Sequence, residues 1–116
     1  MDHHHVQEEL AGPARALRAE IPEVLTAFAQ LSRASMGEGA LPRATKELIA
    51  LAIAITRECD GCIAAHARGA ARQGASRREV AEMVGVAILM NGGPATVWGP
   101  RALEAFDQFS EAAPAS

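Results

Sequence analysis

Tyrosine is absent from these 116 residues, tryptophan occurs once, phenylalanine three times and cysteine twice. With so few large rings, burial has to come from many small contributions. Alanine is used very heavily instead. Small side chains let helices approach closely, but each removes little apolar area from water. A small bundle built this way needs more contact area than one chain offers, so a homo-oligomer is expected rather than an Ala-rich monomer. An excess of basic charge is also lacking. Lys and Arg number 11 against 14 Asp and Glu, for a net charge of −3. No basic stripe interleaved with aromatics appears, which excludes nucleic acid as an expected partner. No apolar run approaches the roughly 20 residues of a membrane span. The longest runs from Leu48 to Ile55. The opening MDHHHVQEEL has neither a basic n-region nor an apolar h-region, so no secretory signal is expected. A cytoplasmic, reducing setting follows, in which a structural disulfide is disfavoured and a Cys-x-x-Cys pair is redox-active or metal-binding.

What is present is helical punctuation. No repeat, linker or shift in composition divides the chain, so one domain over 1–116 is expected, with its core at about 41–106. Residues 1–12 and 112–116 are expected to be loose, with His3, His4 and His5 solvated or, less plainly, a weak metal site. Pro13 can start a first helix carrying Leu17 and Ile21, and Pro22 a second. Val24, Leu25, Phe28 and Leu31 share one face of that second helix. Met36-Gly37-Glu38-Gly39 reads as a loop. After Pro42, a third helix carries Leu48, Leu51, Ala52 and Ile55, with Ile49 and Ile53 widening the stripe, as in a central helix. Asp60 can cap a fourth helix that stops at Gly74. Ser76-Arg77-Arg78-Glu79 is a capping box for a fifth, which carries Val80, Met83, Val84, Ala87, Ile88 and Leu89. Asn91-Gly92-Gly93-Pro94 ends it, and a last helix starts at Ala95 or Pro100 and buries Leu103, Phe106 and Phe109. The fold class is all-α, a compact bundle of five or six short helices. Trp98 and Met90 are expected to be packing residues.

Both cysteines lie in ECDGCIAAH, Glu58 to His66. On a helix Cys62 and His66, at i and i+4, share a face, and Cys59 stands one turn before Cys62. A cysteine at a helix N-terminus is favoured as thiolate. His66 can act on the Cys62 sulfur as base or hydrogen-bond partner. The pair can close into a disulfide without large backbone movement. One thiolate can then attack an electrophile while the other resolves the product. The helix end favours Cys59 as the attacking thiol, and adjacency to His66 favours Cys62. The expectation adopted is that Cys62 meets the oxidant and Cys59 resolves it. Glu47 is the odd carboxylate on the apolar third helix. Buried, it becomes a proton acceptor; exposed, it is an ordinary first-turn Glu.

Glu47, Cys59, Cys62 and His66 together form E-x11-C-x-x-C-x3-H. That string, with its flanks from Leu41 to Val84 and the MNGGPATVWGPRALEAF stretch from Met90 to Phe106, resembles the AhpD-like alkylhydroperoxidases of the carboxymuconolactone decarboxylase family. The resemblance implies an all-α, AhpD-like fold, homo-oligomers (trimers or hexamers) and no metal or organic cofactor. It implies thiol-dependent reduction of hydroperoxides or of a partner peroxiredoxin. Cys59 and Cys62 would be the redox pair, with His66 and Glu47 in the proton relay. One departure stands out. The best-known relay of the family has a second histidine between its cysteines, where this chain has Asp60-Gly61, and Asp60 opposes a thiolate beside it.

Three other readings compete. A thiol–disulfide reductase would use the same pair with little peroxidase activity. A lactone decarboxylase of the wider family would not rely on Cys-x-x-Cys. A metal-binding module would take Cys59, Cys62 and His66, and draw a fourth ligand from Glu47 or the N-terminal histidines. The plainest case is two cysteines that merely pack in a helical core.

Overall fold

A computed structural model of the chain describes residues 1–111. Among them are six helices and no strand: α1 (His3–Glu20), α2 (Pro22–Met36), α3 (Arg43–Thr56), α4 (Asp60–Arg72), α5 (Arg77–Asn91) and α6 (Ala95–Glu111). The expected loose tail at 112–116 lies outside the described residues. None of the described helices is long and apolar enough to cross a membrane.

The first turns of the chain depart most from expectation. Residues 1–12 are not loose, and Pro13 does not start a helix but lies inside α1. Asp2 caps that helix, its carboxylate accepting from the backbone N–H groups of His4 and His5. The fold then holds it down. His3 is only 1% exposed. Its Nε2 pairs with Glu104 at 2.9 Å, and its backbone N–H donates to Gln108 Oε1 at 2.9 Å. His4 packs on Phe109 with ring centroids 4.4 Å apart and the ring planes tilted by 55°. The histidines expected in solvent are thus partly structural, because α6 supplies partners about a hundred residues away. Pro13 is tolerated because its side of α1 is exposed and water can serve the carbonyl that lacks a helical donor.

The core is built on close approach by small residues. On α4 the buried stripe is Ile63, Ala64, Ala67 and Ala70. On α6 it is Ala95, Gly99, Ala102, Ala105, Phe106 and Phe109. These stripes face each other, and α3 adds Leu51, Ala54 and Ile55 to the same core. Val80 and Ala87 bring α5 onto this core. The capping box forms as expected, with Glu79 N–H donating to Ser76 Oγ and Ser76 N–H to Glu79 Oε1.

Several apolar positions face outward instead. Ile49 and Ile53 lie about 200° around α3 from Leu51 and Ile55 and are exposed, so α3 is buried on one side only. On α5, Leu89 is 81% exposed, and Met90 is also exposed rather than packed. α2 has its apolar face as expected, yet no residue of α2 is buried. α6 begins at Ala95 and continues through Pro100.

Candidate active site

The loop from α3 to α4 is three residues long, Arg57 to Cys59, and its geometry sets the cysteines. Glu58 adopts φ 54°, a left-handed conformation that costs a non-glycine residue about 1–2 kcal/mol. The turn delivers Cys59 in an extended conformation as the N-cap of α4. Its Sγ accepts the backbone N–H of Cys62 at 3.3 Å. This corrects the expected cap. Asp60 is instead the first helical residue, where its charge suits the helix dipole. Both cysteines are free; Cys59 is half-buried and Cys62 exposed. A hydrogen bond to Cys59 keeps the Cys62 proton in place. Partial desolvation and the charges of Cys59 and Asp60 add to it, pushing the Cys62 thiol up to about 11. Cys62 therefore keeps its proton at neutral pH.

The second pair stands one turn along the same face. His66 Nδ1 lies 2.9 Å from Glu47 Oε2, a pair joining α4 to α3. The side chains are 34% and 16% exposed respectively, so the carboxylate is the more enclosed partner. A carboxylate only accepts, so Nδ1 carries the proton and donates it. In a neutral ring so oriented, Nε2 holds the free lone pair. The four expected residues thus form two pairs, Cys59 with Cys62 and Glu47 with His66. Among the described residues no hydrogen bond joins the two pairs in this dithiol state, so the expected direct bond from His66 to the Cys62 sulfur is not made. Nor does any group of three or more His, Cys, Asp or Glu among them have the placement to hold a metal ion.

Two glycines shape the site without having been singled out from the sequence. A methyl group at Gly61, between the cysteines, would meet Leu10 Cδ1 of α1 at 3.0 Å. Its absence lets α1 lie against the first turn of α4, and about two turns further along α4 Arg68 donates to Gln7 Oε1 at 3.0 Å. A methyl group at Gly69 would overlap the Glu47 carboxylate. The available signal was the cost of any glycine inside a helix, about 1 kcal/mol relative to alanine, which calls for a reason. An apolar cleft of about 250 Å³ lies elsewhere, between α5 and α6, lined by Val84, Ile88, Gly99, Pro100 and Leu103 among others. It shares no residue with the two pairs.

The profile of the carboxymuconolactone decarboxylase family matches residues 22–109. An uncharacterized protein of Cupriavidus necator is 39% identical over 95 residues, which is 82% of this chain and 84% of that protein. An uncharacterized protein encoded in the cox locus of Paracoccus denitrificans is 38% identical over 86 residues, 74% of this chain and 78% of that one. The crystal structure of a carboxymuconolactone decarboxylase family protein from Legionella pneumophila, in its apo form, superimposes with a TM-score of 0.90. It is 39% identical, and the match covers 93% of this chain and 96% of that one.

Proposed function

From the premise that the chain belongs to the carboxymuconolactone decarboxylase family, we propose that it is a thiol-dependent oxidoreductase that reduces hydroperoxides through a Cys59/Cys62 dithiol–disulfide cycle. The observation that carries this reading is the 2.9 Å Glu47–His66 pair on the helix face that bears the free cysteines. A packing role for the cysteines needs no such pair, and an exposed Cys62 does not serve one.

In the cycle, Cys62 meets the peroxide because it is the exposed sulfur. His66, held in one tautomer by Glu47, accepts the Cys62 proton through Nε2 as the sulfur attacks the terminal peroxide oxygen. The O–O bond breaks, the alkoxide takes a proton and leaves as alcohol, and Cys62 becomes a sulfenic acid. The Cys59 sulfur then attacks the Cys62 sulfur, water leaves, and the disulfide closes. Two thiols are oxidised and one peroxide is reduced to alcohol and water. A thiol or dithiol reductant completes the turnover. A partner peroxiredoxin, whose disulfide the reduced pair would open, is the protein substrate consistent with the same chemistry. The reading belongs to a reducing compartment such as the cytoplasm, and to a homo-oligomer, trimer or hexamer.

Rapid mixing of dithiothreitol-reduced protein with cumene hydroperoxide, followed by mass spectrometry, tests the reading. The expected products are cumyl alcohol and a Cys59–Cys62 disulfide. Cys62→Ser should abolish peroxide loss, and Cys59→Ser should stop at a sulfenic acid on Cys62. His66→Gln and Glu47→Gln should each slow the first step by about a hundredfold. If a small or protein disulfide closes the pair and peroxide does not, the protein is a thiol–disulfide reductase. If no oxidant closes it, the redox reading is wrong.

A further inference from the structure

The geometry points to Gly69 as a positioning residue for the Glu47–His66 pair. It stands one turn beyond His66, at i+3, so Cys62, His66 and Gly69 follow one another along a single face of α4. Glu47 comes across from α3 and lays its carboxylate against the backbone of α4 at Gly69. The three carboxylate atoms Cδ, Oε1 and Oε2 are the nearest atoms to the point where a residue-69 methyl group would stand. Every residue other than glycine therefore competes with the carboxylate for the same space.

The displaced group would be the end of a flexible side chain, so the helix itself need not move. What is lost is the placement of the acceptor opposite His66 Nδ1. Without that acceptor the ring is free to exchange tautomers, and an isolated imidazole in water favours the proton on Nε2. That tautomer cannot take a proton from a thiol through Nε2. Gly69 thus acts on the chemistry through Glu47 and touches no reacting atom. The inference rests on the proposed relay for its effect on rate, but its effect on the His66 tautomer is independent of that reading.

The test compares Gly69→Ala, Glu47→Ala and the double variant. Nitrogen-15 NMR of His66 at neutral pH reports the tautomer, and rapid mixing with cumene hydroperoxide reports the rate. In the wild type the proton should sit on Nδ1. Gly69→Ala should move it towards Nε2 and slow disulfide closure by at least about tenfold. In the Glu47→Ala background the same substitution should change neither readout, the rate staying within a factor of about two. A wild-type tautomer in Gly69→Ala would overturn the inference, as would an equal loss in both backgrounds. If Gly69→Ala fails to fold, the double variant decides. Folding of the double variant would mean that the overlap with Glu47 was the cause, and failure of both would overturn the inference. If the wild type does not react with peroxide, the tautomer measurements still decide the role of Gly69 while the proposed function falls.

Discussion

At the scale of single residues, the chemistry turns on where protons sit. Cys62 holds its own through Cys59 and is raised to about 11. A thiol's thiolate fraction rises about tenfold per pH unit while the pH is below its pKa. In His66→Gln, attack must rely on that fraction alone. Its peroxide rate should therefore climb about tenfold per pH unit over roughly pH 7 to 9, whereas the wild type, with a base in place, should vary less steeply. Stopped-flow rates across that range check this. A flat profile in His66→Gln would mean that the attacking sulfur is not Cys62. His3 makes a contrasting case, an imidazole buried for structure. It is satisfied at Nε2 by Glu104, while its Nδ1 has no partner among the described residues. Nothing in a run of three histidines distinguishes it from its neighbours. Only its contact with α6 does.

At the scale of elements, glycine and alanine set how closely the helices pass. Gly99 on α6 faces Val84 on α5, and a methyl group there would lie 2.6 Å from Val84 Cγ1. Valine has little rotamer freedom in a helix with which to give way. Gly99→Ala should therefore cost about 1–3 kcal/mol by forcing the two helices apart, against the few tenths to 1 kcal/mol that alanine gains as a helix former. Urea unfolding gives the difference. A variant as stable as the wild type would mean that α5 is free to shift. The same logic governs the α3–α4 connection, where Glu58 accepts a left-handed backbone so that Cys59 can cap α4. Lys46 closes the other end of the preceding loop. Its Nζ donates to the carbonyls of Ser35 and Gly37 at 2.9 and 2.7 Å, satisfying the end of α2.

At the scale of the whole molecule, α2 stands away from the core. The radius of gyration is 14.5 Å, against about 13 Å for a compact chain of this length. Val24, Phe28 and Leu31 leave most of their surface uncovered, Phe28 being 65% exposed. A face of that kind on a chain with few large apolar residues fits assembly through copies of itself. Light scattering on the eluting protein should give a mass that is a multiple of the 12.1 kDa chain. Phe28→Glu should lower that multiple. A single-chain mass at tens of micromolar protein would remove the oligomer from the proposal.

Sequence alone determined what depends on local spacing. The helix ends at Ser76 and Asn91, the inner face of α6 at Phe106 and Phe109, and the alignment of Cys62 with His66 follow from residues a few positions apart. So does the place of Cys59 near a helix start. These need only the pitch of one helix and the partners of its own backbone. Tertiary structure decided whatever required a second element. The docking of α1 by His3 onto Glu104 and Gln108, the outward turn of Leu89, Ile49 and Ile53, and the exposure of α2 are properties of which faces meet. The pairing of Glu47 with His66 is of the same kind. Spacing puts each residue on a face of its own helix, but their 2.9 Å contact depends on how closely α3 and α4 pack. Gly69, legible beforehand only as a weakness in a helix, is the gap that this packing uses, because an absent side chain acquires meaning only from the neighbour that takes its place.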